Sequence, residues 1–318
     1  MGAGGIRRED AAMTLGATER RQLAWITGGA VAVYALLRLL PTGTNLSHMD
    51  FRADAKNSIE FCDPLNPQFI PVVAVASPVT MALRALAGAP RAGTEAAFAL
   101  TLATAAGKPI GPQDLAVSHT RKLHLLVVDE ALRDYQHVHP SPGARAGEWR
   151  FSFSPRAGGN YRCFADFTPS ATGRGLYAST DFSVSPSDGG GKPTTDRPAT
   201  NWSVARDAWR FQLTPAAQPV RARATTELKL AITRADGGPV PLAPVMGAFA
   251  HLVAFDERRT GFAHLHPAES DVTRQPDPRK PELSFKVTIP RAGRYVIWAQ
   301  VNLGGREEFA PFWFEVVE

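Results

Sequence analysis

Only eight histidines occur in the 318 residues, and six of them fall in two nearly identical phrases. "KLHLLVVDEALRDYQHVHP" occupies residues 122–140, and "FAHLVAFDERRTGFAHLHP" occupies 249–267. His124, His137 and His139 reappear as His251, His264 and His266 at a constant spacing of 127 residues. Three imidazoles that converge can hold one transition-metal ion. A fourth position stands five residues before each trio: His119 in the first phrase and Met246 in the second. The candidate ligand sets are therefore His119, His124, His137, His139 and Met246, His251, His264, His266. A thioether beside imidazoles favours copper, Cu(I) in particular, whereas an all-imidazole set suits Cu(II) or Zn(II). The competing reading makes the rings core residues bonded to backbone, with each His-x-His-Pro word merely ending a strand. Met246 alone has the same ambiguity, since methionine is a common core filler.

Convergence requires a particular scaffold. In the second phrase "AHLVAFD" and "GFAHLHP" flank "ERRT", a loop length common in β-hairpins. That register sets Asp256 opposite Gly261 and His251 opposite His266. Side chains alternate along a strand, so His264 and His266 share one face and His251 joins them from its partner. The first phrase gives the same geometry, with His124 opposite His139. A slip of one residue scatters each trio over two faces. The same face carries Val253, Phe255 and Phe262 in one copy and Leu126, Val128 and Tyr135 in the other, as a core face would.

The repetition extends beyond the histidines. "PRAGGNYRCFADF" (155–167) parallels "PRAGRYVIWAQV" (290–301), and "GKPI" (107–110) parallels "GGPV" (237–240). Short period-2 runs such as "ELKLAIT", "LSFKVTIP" and "FWFEVVE", separated by turn residues, predict strands. The expected fold class is all-β: two tandem Ig-like antiparallel β-sandwiches behind an N-terminal transmembrane helix. Tyr161 and Tyr295 are expected near a corner of their sandwiches. The expected organisation is a cytoplasmic N-terminus over 1–22, an anchor or signal segment over 23–40 and an extension without a counterpart over 42–92. The first repeat follows over 93–184, a Gly/Pro/Ser/Thr-rich linker over 185–200 and the second repeat over 201–318.

The N-terminal reading rests on "LAWITGGAVAVYALL" (23–37), uncharged between Arg20-Arg21 and Arg38. Basic residues before an apolar segment hold that side in the cytoplasm, so the rest is expected to be exported, as a single-pass protein of the inner membrane. Secretion after signal cleavage is the alternative. Export permits a disulfide, and Cys62 and Cys163 are the two cysteines available for one. Hydrophobic residues at 44% and charged residues at 20% describe globular material. The net charge of +5 comes without any basic block or aromatic–basic stripe, which argues against a nucleic-acid partner.

Motifs of hydrolases, nucleotide enzymes and dinucleotide enzymes are missing, and "GAGG" at residues 2–5 follows no strand. Cys163 has no histidine nearby in sequence, unlike the cysteine of a blue-copper site. A hydrolytic zinc site with Asp166 as its carboxylate is the minor enzymatic reading, weakened because Gln300 stands at the matching position. The two histidine phrases, each followed by a P-R-A-G strand, resemble exported bacterial YtkA-like Ig-type domains over about residues 94–184 and 221–318. That resemblance implies an Ig-like sandwich and a role near heavy-metal and copper handling. The expectation is a non-enzymatic protein with copper, or alternatively zinc, as its cofactor. It would act in sequestration or delivery, with an envelope metal transporter or other envelope protein as partner. The alternative is a cell-envelope interaction module whose histidines are structural or sense pH.

Overall fold

A computed structural model describes residues 16–39, 46–51, 67–187 and 198–318. The N-terminal unit holds one helix, α1 (Ala17–Leu39), opened by Glu19, whose carboxylate accepts the Gly16 N–H at 2.8 Å. No helix among the described residues is long and apolar enough to cross a membrane. The expected transmembrane helix over 23–40 is thus not borne out by the helix itself. The sixteen uncharged residues between Arg21 and Arg38 rise only ~24 Å, against a hydrocarbon core of ~30 Å, and Thr27, Gly28 and Gly29 dilute them further.

Each repeat in the second unit is built on seven main strands. In the first they are β1 (Val79–Ala85), β2 (Ala96–Thr104), β3 (Leu123–Asp129), β4 (Tyr135–Val138), β5 (Glu148–Phe153), β6 (Gly159–Phe167) and β7 (Leu176–Val184). In the second they are β8 (Trp209–Pro215), β9 (Thr225–Arg234), β10 (Ala250–Asp256), β11 (Phe262–Leu265), β12 (Glu282–Thr288), β13 (Gly293–Leu303) and β14 (Arg306–Val317). An outer sheet runs β1-β2-β5 in one repeat and β8-β9-β12 in the other, and an inner sheet runs β4-β3-β6-β7 and β11-β10-β13-β14. All these neighbours are antiparallel. The chain is two tandem Ig-like β-sandwiches. Tyr161 and Tyr295 do mark corners, each hydroxyl lying 3.0 Å from the carbonyl four residues earlier, Ala157 and Arg291.

The first repeat starts earlier than expected. β1 lies inside the stretch 42–92, and it is the counterpart of β8. As an edge strand with alternating exposure it is buried weakly, which left its sequence looking like an appendage. Cys163 is a buried thiol on β6 without a disulfide partner among the described residues; Cys62, its expected partner, lies outside them, as does 188–197 of the linker.

The inner sheets are buried on both faces, because each faces its own sandwich core and also the other repeat. Leu125, Val127 and Cys163 point into the first sandwich, and Leu252, Ala254 and Ile297 into the second. The alternate residues Leu126, Val128, Tyr135 and Phe164 meet Val253, Phe255, Phe262 and Trp298 in a third core between the repeats. The result is a stack of four sheets. A strap over residues 67–74 seals its edge: Ile70 and Phe262 exchange both backbone hydrogen bonds (2.8 and 3.1 Å), and Ile70 and Val72 enter the central core.

Candidate metal centre

The hairpin β10–β11 pairs Leu252 with Leu265 and Phe255 with Phe262, and β3–β4 pairs Leu125 with Val138 and Val128 with Tyr135. Both registers follow from loops organised by an aspartate. Asp256 accepts from the backbone N–H of Thr260 and Gly261, and Asp129 from those of Ala131, Arg133 and Asp134. The pairing carries His251 to His266 and His124 to His139 on the faces that meet between the repeats. The candidate ligand nitrogens of His124, His137 and His139 lie within 4.8 Å of one another, as do those of His251, His264 and His266.

Hydrogen bonds on the outer side of the trios decide which nitrogens look inward. His124 Nε2 is 3.0 Å from the Ser118 carbonyl, and His251 Nε2 is 3.0 Å from that of Val245. A carbonyl only accepts, so each ring carries its proton on Nε2 and leaves Nδ1 bare. His137 Nδ1 lies 2.9 Å from Gln300 Oε1, and the Gln300 amide is oriented because its Nε2 donates to Glu307 at 2.8 Å. His264 Nδ1 lies 3.0 Å from the Asp166 carboxylate. Both of these rings therefore hold their proton on Nδ1 and turn a bare Nε2 inward.

The consequence is that lone pairs face lone pairs. His124 Nδ1 and His137 Nε2 are 3.2 Å apart, and His251 Nδ1 and His264 Nε2 are 3.2 Å apart. In the third ring of each trio, Nε2 of His139 and of His266 is buried without a hydrogen-bond partner among the described residues. A proton could bridge the bare nitrogens, but burial opposes it. Desolvation lowers the pKa of all six rings, to about 3 for His139 and about 4 for His251, and holds His137 and His264 well below the ordinary range. Bare nitrogens at this spacing match the edge of a coordination tetrahedron, ~3.3 Å for metal–nitrogen bonds of ~2.0 Å. The residues present thus fit a cation in each trio, and outer-shell partners that fix the tautomer are the ordinary companions of histidine ligands.

The two trios belong to one centre spread across the repeat interface. Gln300 sits opposite His251 on β13 yet holds His137 of the first repeat, and Asp166 sits opposite His124 on β6 yet holds His264 of the second. The exchange is reciprocal, as an approximate two-fold axis between equivalent sheets requires. His137 and His264 approach to 5.3 Å between ring centroids. Asp166 lies outside both trios and spends one carboxylate oxygen on His264 of the other repeat. The roles of Gln300 and Glu307 do not follow from the sequence, because Gln300 serves a ring of the other repeat and Glu307 acts only through Gln300.

His119 departs from the expected set. Its ring is stacked on His266 of the opposite repeat, 3.7 Å between centroids and 19° from parallel, and stands 6.3 Å from His124. It lies on the exposed side of the centre and outside both trios. Its turn has left-handed backbone at His119 and Thr120, mirrored by Met246 and Gly247 in the second repeat, and the two turns meet where Gly247 faces Thr120.

A family model described as a domain of unknown function (DUF8832) matches residues 77–185 and again 203–318. The chain belongs to this family. Both matches coincide with the two sandwiches, including β1 in the first. No curated protein matches the sequence. Among solved structures, the chain is similar to the Escherichia coli adhesin FdeC at 15% identity, covering 75% of this chain and 64% of that one, with a TM-score of 0.21. The Yersinia pseudotuberculosis adhesin InvE is similar at 11% identity, over 74% and 58% of the two chains, with a TM-score of 0.23. A DUF4785 family protein from Legionella pneumophila matches at 9% identity over 76% and 56%, with a TM-score of 0.24. The chain spans under two thirds of the length of these proteins.

Proposed function

We propose that this protein binds transition-metal ions, copper foremost and zinc as the alternative, and sequesters or delivers them without catalysis. The observation that carries the reading is the pair of bare nitrogens at 3.2 Å in each trio, beside a buried unpartnered third nitrogen. Neutral rings satisfied only on their outer side are arranged for a cation and badly arranged for a core. The absence of any carboxylate from either trio favours a nitrogen-preferring ion over calcium or magnesium. The resemblance to YtkA-like domains leans the same way, towards copper.

The basic residues before the apolar run of α1, with Trp25, Ile26 and Leu36 exposed, support a protein directed to the cell envelope with its sandwiches exported. An envelope metal transporter, or another envelope protein, is the partner such a carrier would serve. The test titrates the full-length chain with Cu(I), Cu(II) and Zn(II) against chelators of known affinity, beside a His251→Ala/His264→Ala/His266→Ala variant. The reading expects tight binding that falls by one equivalent in a folded variant. Absence of binding tighter than millimolar for all three ions contradicts it and leaves the histidines as architecture of an envelope interaction module.

A further inference from the structure

The two trios resemble each other in their ligands and differ in the charges around them. Asp166 brings a carboxylate into contact with His264 of the second trio, 3.0 Å from its Nδ1. The equivalent residue, Gln300, gives His137 of the first trio a neutral amide, and the Glu307 carboxylate lies one hydrogen bond further out. Arg121 is exposed three residues before His124 in the first repeat and adds a positive charge on the approach to that trio, whereas its counterpart in the second repeat is Ala248. Asp166 also stands opposite His124 on β6, but its hydrogen bond goes to the second trio, so one trio is contacted by a carboxylate and the other by a neutral amide.

These trios are also near neighbours. Ring centroids of His137 and His264 are 5.3 Å apart, those of His124 and His264 5.9 Å, and those of His137 and His251 6.1 Å. They are packed between two sheets and beside the apolar layer that includes Leu126 and Val253. Coulomb energy scales with the product of the charges, so two divalent ions repel each other four times as strongly as two monovalent ions at the same separation. The neutral imidazoles cancel none of this, and among the described residues Asp166 is the carboxylate hydrogen-bonded to a ring of either trio.

We infer that the two trios form one charge-coupled centre, in which Asp166 directs a first divalent ion to His251, His264 and His266 and that ion opposes a second. Monovalent ions fill both trios. This inference rests on the metal-binding reading and adds to it the rule of filling: one divalent ion or two of Cu(I). The centre thereby discriminates by the charge of the ion as well as by ligand chemistry.

The test titrates full-length protein with Zn(II) and, anaerobically, with Cu(I), and places each ion by repeating the titration in the two triple His→Ala variants. Zn(II) is expected first in the second trio, with a second step weaker by about tenfold or more, while the two Cu(I) steps lie closer together. Asp166→Asn keeps a hydrogen-bond acceptor and removes the charge. It is expected to weaken the first Zn(II) step about tenfold and the Cu(I) steps several-fold less. Arg121→Ala changes an exposed side chain, is expected to fold whatever Asp166→Asn does, and should strengthen Zn(II) binding at the first trio. Two Zn(II) ions bound independently with equal affinity would overturn the coupling while leaving the metal-binding reading intact. Equal losses for Zn(II) and Cu(I) in Asp166→Asn, with no effect of Arg121→Ala, would overturn the role of charge. Failure of every ion to bind would overturn both readings together.

Discussion

His264 of the second repeat and Asp166 of the first are held 3.0 Å apart, Nδ1 to Oδ2, across the interface between two inner sheets. His137 and Gln300 make the reciprocal contact at 2.9 Å. Each repeat therefore orients a ring of the other: each trio comes from one sandwich, and the group that fixes its middle ring comes from the other.

The orienting contacts are separable from the ligands. Gln300→Ala frees the His137 ring to turn and leaves Glu307 without its amide partner. Metal affinity of the first trio should fall about 10- to 100-fold with the second trio little changed. Competition titration of this variant in the background lacking the second trio gives the number.

Metal should stabilise the fold by mass action, since the hairpins that bring each trio together form only in the folded repeats and the contacts that orient His137 and His264 only when those are docked. At free metal about a thousandfold above Kd the gain is ~4 kcal/mol. Calorimetry of the metal-loaded full chain should show a raised Tm that returns to the metal-free value with excess chelator. The triple variant His251→Ala/His264→Ala/His266→Ala should lose the part of the increment due to its own trio.

The metal-free protein should weaken in acid. Burial holds the histidines below their ordinary pKa of 6.5, to about 4 for His251 and about 3 for His139. The unfolded chain binds protons from pH 6.5 downward while the folded chain refuses them until pH 4 to 3, so stability is full above 6.5 and declines through that window. Denaturant titrations of chelator-treated protein between pH 7.5 and pH 4 check the sign. A flat profile would mean the rings are protonated in the fold.

The central core should make the two repeats unfold as one. Phe164 is fully buried and packs on Phe255 and Phe262 of the other repeat, at 5.9 and 5.4 Å between ring centroids. Phe164→Ala should cost ~3–5 kcal/mol and lower a single calorimetric transition, not split off one repeat.

The strap depends on one glycine. A Cβ at Gly261 would stand 1.8 Å from the Ile70 carbonyl oxygen, so Gly261→Ala must displace the strap from β11. The expected loss is ~2 kcal/mol or more in stability, with faster proteolysis near residues 67–74.

The trios were legible in the sequence because a hairpin loop fixes register and the repeat supplies each reading twice. Less was legible about their surroundings. "LHLLVVD" and "AHLVAFD" are apolar at successive positions where a strand with one wet face would alternate, and that continuity was the available sign of sheets buried on both faces. It names no partner surface, so the contacts of Asp166, Gln300 and Glu307 and the displacement of His119 onto His266 emerge only from docking. The strand at Val79–Ala85 was obscured for the opposite reason, since an edge strand needs little apolar sequence.

Copper K-edge X-ray absorption on the Cu(I)-loaded full chain tests the central claim most directly. Two trios of convergent imidazoles predict about three nitrogen neighbours per ion at ~2.0 Å, with the multiple-scattering pattern of imidazole rings. That pattern should vanish in a folded protein lacking all six histidines. A spectrum dominated by non-imidazole oxygen or sulfur, or one unchanged by those substitutions, would contradict it.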